Sequence, residues 1–198
     1  MPGSKSAARK ARIISSRVVY KGPVFSVTSD EVLEPGGVRA KREIVQHTGS
    51  VVILALDESR PQSRILLVRQ YRHAAQQYLW ELPAGRHDQD ESELAGAKRE
   101  LLEETGYSAV KWKRILNFYA SPGFLAETMS IYLAQGLESG TAQPEEDERI
   151  TKRMFPLAAA LRMVTSRKIR DAKTISGVLW LSHYLCQKKP QQQRISGR

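Results

Sequence analysis

The sequence has little of what marks secreted and membrane-bound chains. It contains one cysteine, Cys186, among 198 residues. A single cysteine excludes an intramolecular disulfide and is typical of a reducing compartment. No apolar run approaches the roughly 18 residues that cross a bilayer, and no apolar segment follows the basic N-terminus as it would in a secretory signal. We therefore predict a cytoplasmic chain with no membrane partner.

Acidic residues are missing from both ends of the chain. Residues 1–22 carry six lysines and arginines and no acid, and residues 186–198 carry four and no acid. These ten cations account for the whole formal net charge of +10, so the middle of the chain is neutral. Basic ends of this kind are usually solvated. We predict a basic disordered tail at residues 1–16 and a basic Gln/Lys tail at residues 186–198, and we do not expect a nucleic-acid partner.

Residues 17–47 have the pattern of a small β meander. Three strand-like segments are divided by turn residues, Lys21-Gly22-Pro23 and Pro35-Gly36-Gly37. Three strands of this length are hardly stable alone. The meander is therefore expected to pack on the rest of the chain or on a second copy of itself.

Residues 48–185 mix strands and helices. Ser50–Asp57 and Arg64–Tyr71 contain continuous apolar runs, which are typical of strands covered on both faces. The remaining segments are predicted as strands at Leu79–Gly85, Lys111–Ala120, Met129–Gln135 and Arg153–Phe155, and as helices at Ser92–Thr105, 156–164 and Ala172–Leu185. This order predicts an α/β domain with a mixed sheet between helices.

The stretch from Gly85 to Tyr107 concentrates acidic side chains on one helix. Residues three and four apart share a helix face, so Glu100, Glu103 and Glu104 are predicted to form one carboxylate cluster. Like charges repel, and a hard divalent cation with its preference for oxygen ligands would neutralise them. The alternative is a solvated acidic face without a ligand.

The spacing of this stretch resembles the Nudix box. Gly85, five residues, Glu91, seven residues, and then Arg99-Glu100-Leu101-x-Glu103-Glu104-x-Gly106 match its charged and glycine positions. The one departure from the box is Tyr107, which stands at its final position. That position is usually aliphatic and serves packing. The resemblance implies a Nudix hydrolase with an α/β/α sandwich, a mixed central sheet and the N-terminal antiparallel meander as an addition.

The resemblance also implies a metal cofactor and a set of catalytic residues. The cofactor would be Mg²⁺, with Mn²⁺ as an alternative. The implied ligands are the carboxylates of Glu100, Glu103, Glu104 and Glu148 and the backbone carbonyl of Ala84. The implied catalytic residues are Glu103, Glu104, Arg99 as an orienting group, and Glu146 as the general base. Arg99 is four residues before Glu103 and is expected to pair with Glu103 or with Glu91 rather than with substrate. Glu145 and Glu148 are alternatives for the base, and residues 145–148 read without the resemblance as a solubilising loop.

Further stretches resemble the ADP-ribose pyrophosphatase subgroup. Pro122 follows Gly106 by 16 residues, within the loop Ser121-Pro122-Gly123-Phe124, and Ile169-Arg170-Asp171-Ala172-Lys173-Thr174 also matches. The resemblance implies hydrolysis of ADP-ribose to AMP and ribose 5-phosphate by metal-activated water, in a homodimer. The implied substrate-binding residues are Phe25, Arg42, Arg72, Pro122 and Glu127. For Phe25, packing within the meander is an equal alternative.

Three other functions compete with this hypothesis. The nearest is the same chemistry on another nucleotide, such as GDP-mannose or a flavin or coenzyme A nucleotide. A second is an ADP-ribose sensor without catalysis, which the intact glutamates of the box disfavour. A third is a decapping-type activity that the basic ends bring to RNA, which predicts binding that collapses with salt.

Overall fold

The computed structural model describes residues 10–86, 90–142 and 149–195, with side chains to residue 187. The chain divides into two compact units. The first comprises Met1–Gly49 and Tyr119–Thr128, and the second comprises Ser50–Phe118 and Met129–Arg198. No helix in the described ranges has both the length and the apolar character needed to cross a bilayer.

The first unit contains a three-stranded antiparallel sheet with β2 in the centre. Its strands are β1 (Arg12–Lys21), β2 (Ser26–Leu33) and β3 (Arg39–Gln46). Gly36 and Gly37 have φ values of 89° and 84°, which favour glycine and let the chain turn between β2 and β3. This sheet confirms the predicted meander. β1 begins at Arg12 rather than near Arg17, because Arg12 and Ile13 already pair with the end of β2.

The second unit contains a seven-stranded mixed sheet in the order β10-β5-β4-β9-β8, with β6 beside β5 and β7 beside β4. β4 runs parallel to β9 and antiparallel to β5 and β7. The strands are β4 (Ser50–Asp57), β5 (Arg64–Arg72), β6 (Gln77–Glu81), β7 (Ala84–Arg86), β8 (Tyr107–Tyr119), β9 (Thr128–Ser139) and β10 (Thr151–Pro156). A short 3-10 helix, His73–Ala75, joins β5 to β6.

Both faces of β4 are covered, as its continuous apolar run predicted. Its side chains alternate between two hydrophobic clusters, because successive residues of a strand point to opposite faces. Val52 and Leu54 pack with residues of α2 (Leu157–Thr165) and α3 (Ala172–Ile195). Val51 and Ile53 pack with residues of α1 (Glu93–Thr105). The second unit is therefore an α/β/α sandwich, and the predicted fold class is confirmed.

The helix ends show where local sequence signals were sufficient. Ser92 caps α1 by accepting a hydrogen bond from the Ala95 amide, and Gly106 ends it with a φ of 68°. The end of α3 differs from the prediction, because the helix continues to Ile195, ten residues beyond Leu185. Glutamine and lysine favour helix without an apolar period, so the hydrophobic pattern gave no signal for these residues.

Candidate active site

The turn between β6 and α1 places glycine where a side chain would collide. β7 pairs with the start of β4 through Ala84 and Val52. A Cβ atom added to Gly85 would lie 2.1 Å from the carboxyl carbon of Glu100. The Glu100 carboxylate therefore lies directly against the backbone of β7, and only glycine leaves room for it.

Arg99 contacts three carboxylates at once. Its Nε donates to Glu91 Oε1 at 3.0 Å, and its Nη1 donates to Glu100 Oε1 and Glu103 Oε2, both at 2.8 Å. Its Nη2 donates to the carbonyl of Arg86 at 3.0 Å. We call Arg99, Glu91, Glu100 and Glu103 the Arg99 cluster. The pairing of Arg99 with Glu103 and with Glu91 was expected as two alternatives, and the structure shows both contacts.

The electrostatics of the Arg99 cluster are unbalanced. Partial burial by itself would lower the pKa of Arg99, but the hydrogen bonds and charges of its acidic partners outweigh burial and raise it. One guanidinium thus faces three carboxylates, which leaves the cluster with an excess of negative charge. Such an excess costs stability unless a cation is added.

Glu104 contacts the backbone of β7. Its side chain is buried, with 5% of the residue exposed, and its Oε2 accepts a hydrogen bond from the Ala84 amide at 3.2 Å. The three helix glutamates were predicted to form one cluster. Glu100 and Glu103 accept hydrogen bonds from Arg99, and the carboxylates of Glu100 and Glu104 lie against the neighbouring β7 residues Gly85 and Ala84.

The donor set fits a hard divalent cation chemically. Carboxylate oxygens and a backbone carbonyl are the ligands that Mg²⁺ and Mn²⁺ prefer, and the negative excess favours a cation. Within residues 10–86, 90–142 and 149–187, no three acidic, histidine or cysteine side chains are already arranged around a common metal position.

A second charged group lies beside β7 and was not predicted from the sequence. Glu81 accepts hydrogen bonds from Arg72 Nε and Nη2, each at 2.9 Å, and from the ammonium of Lys173. Asp171 accepts from Lys173 at 2.9 Å. We call Glu81, Arg72, Lys173 and Asp171 the Glu81 cluster. The signals in the sequence are an acid inside the apolar run Leu79-Trp80-Glu81-Leu82 and the matching stretch that contains Asp171 and Lys173.

Four predicted substrate residues belong to the first unit. Phe25 is 40% exposed and packs beside Tyr20 with ring centroids 5.4 Å apart, so it is not a buried core residue. Arg42 pairs with Glu34 through contacts of 2.6 and 2.9 Å. Pro122 is exposed in its loop. Glu127 lies 3.8 Å from His47 Nδ1.

Arg72, Ala84 and the box residues belong to the second unit, where the structure brings them near one another. The predicted general base, Glu146, and its alternatives Glu145 and Glu148 lie outside the described residues. Their roles stay predictions. Tyr107, the one departure from the box, is half-buried and packs against the cluster under α1.

Comparisons with known proteins agree with this arrangement. The model of the NUDIX domain family matches residues 46–176. An ADP-ribose pyrophosphatase of Bacillus subtilis is 36% identical over 86% of this chain and 91% of its own length. An ADP-ribose pyrophosphatase of Mycobacterium tuberculosis is 39% identical over 84% of this chain and 80% of its own length.

Among solved structures, an ADP compounds hydrolase matches with a TM-score of 0.78. It covers 92% of this chain and 97% of its own, at 22% identity, and so supports the fold alone. The matched range contains β4, the glycine turn, all of α1 and the start of α3. This chain therefore belongs to the Nudix hydrolase family.

Proposed function

We propose that this protein hydrolyses ADP-ribose to AMP and ribose 5-phosphate. The observation that carries the proposal is the Arg99 cluster, which α1 holds against β7 with an excess of negative charge. The names of the two relatives, at 36% and 39% identity over most of the chain, supply the substrate. Diphosphate hydrolysis needs positive charge near the phosphates, and the negative excess of the Arg99 cluster would attract a cation that supplies it.

Members of the family generally require a divalent metal ion, and we propose Mg²⁺ here, with Mn²⁺ as a substitute. The residues that would hold it are Glu100, Glu103, Glu104 and Glu148, with the carbonyl of Ala84. When bound, the metal neutralises the charge of the diphosphate and lowers the pKa of water in the site. Arg99 keeps Glu91, Glu100 and Glu103 together before the metal arrives.

Other residues accept the proton and bind the substrate in the proposed reaction. Glu146 accepts the proton that the attacking water loses as its oxygen bonds to phosphorus. The bond from that phosphorus to the bridging oxygen breaks, and the two phosphate products leave. Phe25 stacks on the adenine base, Arg42 and Arg72 bind phosphate or adenine, Glu127 binds the terminal ribose, and Pro122 also contacts the substrate.

We also propose that the protein is a homodimer through its first unit. β1 lies at the edge of its sheet and all ten of its residues are exposed, among them Ile13, Val18 and Tyr20. An exposed apolar edge strand of this length is prone to pair with another chain. Sedimentation equilibrium should show a dimer for the native chain and a monomer for Val18→Glu/Tyr20→Glu. A native monomer at micromolar concentration contradicts this proposal.

The predicted cytoplasmic location stays a prediction.

The test of the function is a product assay with Mg²⁺ on ADP-ribose, GDP-mannose, a flavin nucleotide and coenzyme A. We expect ADP-ribose to give the highest kcat/KM, with AMP as the nucleotide product. Glu103→Gln should lower the rate about 100-fold or more. The control Glu58→Gln removes a carboxylate in the turn after β4 and should keep the native rate. A higher kcat/KM for another nucleotide rejects ADP-ribose as the substrate but keeps the metal site.

A further inference from the structure

Glu81 is a buried carboxylate that the proposed chemistry leaves without a role. Its side chain is 2% exposed, at the end of β6. Burial by itself raises the pKa of Glu81, but the hydrogen bond from Arg72 and the charges of Lys173 and Arg72 outweigh burial and lower it. Glu81 therefore stays ionised near neutral pH, and both of its oxygens accept hydrogen bonds from cations.

Arg72 is the member of the Glu81 cluster that reaches solvent. Its side chain is 41% exposed, against 9% for Lys173. A guanidinium has five N–H groups, and Arg72 donates one from Nε and one from Nη2 to Glu81. It makes no hydrogen bond to any other of the described residues. Three donors of a fixed, planar group thus remain for a ligand.

The N-terminus of α3 anchors the buried side of the cluster. Asp171 Oδ2 accepts from the Thr174 amide at 2.9 Å and from the Thr174 hydroxyl at 2.5 Å. Thr174 Oγ1 in turn accepts from the Leu82 amide at 2.8 Å. The start of α3 therefore holds the side chain of Glu81 through Lys173. It also holds the backbone of the next residue, Leu82, through Thr174.

The same backbone leads to the candidate metal site. Leu82 and Pro83 connect Glu81 to Ala84, whose amide binds Glu104. The Glu81 hydrogen bond is the largest cause that raises the pKa of Arg72, and the charges of Glu104 and Asp171 act in the same direction. Arg72 thus lies within electrostatic reach of a proposed metal ligand.

We propose that Glu81 is a positioning residue, which orients Arg72 so that the free edge of its guanidinium binds a phosphate oxygen of the substrate. Lys173 and the start of α3 fix Glu81 in turn. A free arginine side chain samples many rotamers, and one that is already held in place loses less freedom when it binds phosphate. This role rests on the proposed function only for the identity of the substrate.

A double-mutant cycle on Glu81 and Arg72 tests whether Glu81 acts through Arg72. Glu81→Gln keeps the shape of the side chain and leaves Lys173 with Asp171. Arg72→Gln leaves Glu81 with Lys173. The double variant removes one negative and one positive charge and leaves Lys173 with Asp171. In all three variants, therefore, the buried charges that remain keep a partner of opposite charge.

We expect Glu81→Gln and Arg72→Gln each to raise KM about tenfold or more, with kcat changed less than about threefold, because a phosphate contact is made in both the ground and the transition state. The double variant should raise KM no further than Arg72→Gln alone. Unchanged KM in Glu81→Gln, or KM effects that multiply in the double variant, would overturn the proposal.

Asp57→Asn is the matched control for stability. Asp57 and Arg64 form another acid–arginine pair, between β4 and β5, with Arg64 Nε 3.0 Å from Asp57 Oδ2. This variant should lower the melting temperature without changing KM. A rise of KM in Asp57→Asn equal to that in Glu81→Gln would show that lost stability, rather than lost orientation, weakens substrate binding.

A measurement without substrate separates this proposal from the proposed function. Exchange of the Arg72 Nε–H with water, followed by NMR, should be slow in the native protein and at least tenfold faster in Glu81→Gln, because the carboxylate protects that hydrogen. If the native protein leaves ADP-ribose intact, the proposed function fails, and the exchange rates still test the orientation of Arg72. Equal exchange in both proteins contradicts that orientation.

Discussion

The Arg99 cluster and the Glu81 cluster contain the same kinds of side chain in different proportions. In the Arg99 cluster one guanidinium faces three carboxylates. In the Glu81 cluster two cations face two carboxylates. The first has more negative than positive members, and the second has equal numbers of each. An unbalanced cluster can recruit a ligand, whereas a balanced cluster can hold one of its own members in place.

The largest effect should follow from a change that disturbs the unbalanced cluster alone. Gly85→Ala places a methyl group where the Glu100 carboxylate lies. The carboxylate can rotate away at little cost in stability, but it loses its position. Because a displacement of this size costs about 100-fold in rate, we expect that loss in the hydrolysis assay. Native activity in Gly85→Ala would show that Glu100 is not placed by contact with β7.

A smaller effect should separate the two clusters by their response to metal. At 100 times its dissociation constant, a ligand that binds only the folded state stabilises it by about 2.7 kcal/mol. We expect Mg²⁺ or Mn²⁺ to give the native protein a gain of this size in urea unfolding. The gain should be largely lost in Glu100→Gln and kept in Glu81→Gln.

The outcome is informative in either direction. Loss of the metal response in Glu81→Gln would mean that the balanced cluster also supports metal binding. A full response in Glu100→Gln would remove Glu100 from the ligand set. The reference sample contains a chelator and no divalent metal, so that each variant is compared with its own metal-free stability.

The smallest effect should come from the pair of Asp57 and Arg64, which lies in neither cluster. Hydrogen bonds from Ser59 and Arg64 lower the pKa of Asp57 from 3.8 to about 2. A lowered pKa adds stability above pH 3.8, and this contribution is lost as the pH falls toward 2. With allowance for solvent screening, Asp57→Asn should cost about 1 kcal/mol at pH 7.

Urea unfolding of the native and Asp57→Asn proteins between pH 7 and pH 2 checks this expectation. The difference between the two free energies of unfolding should shrink below pH 4 and be mostly lost at pH 2. A difference that stays constant over the whole range would mean that the asparagine disturbs packing rather than an ion pair.

Local signals predicted the parts of the fold that depend on neighbours in sequence. The apolar run of β4 predicted a strand covered on both faces, and Gly106 predicted the end of α1. The four-residue spacing of Arg99 and Glu103 predicted a contact that the structure shows. Each of these features depends on residues that are close together in sequence, within one helix or one strand.

Features that depend on distant pairing could not be predicted in this way. Glu81 and Lys173 are 92 residues apart in sequence, and no periodicity connects them. The hydrogen bond of Glu104 to the Ala84 amide joins residues 20 apart in sequence, and the helix period does not predict it. The early start of β1 depends on its register with β2, which the sequence of β1 does not encode.

The link between the Leu82 amide and Thr174 has a consequence for biosynthesis. A growing chain folds from its N-terminal side as it is made, so β6 and the whole box from Gly85 to Tyr107 leave the ribosome before α3 exists. Until Lys173 and Thr174 have been synthesised, Glu81 lacks one of its two cationic partners and the Leu82 amide lacks the Thr174 hydroxyl that accepts its hydrogen bond. A chain that is cut or stalled before residue 173 carries every residue of the box and still cannot assemble the Glu81 cluster.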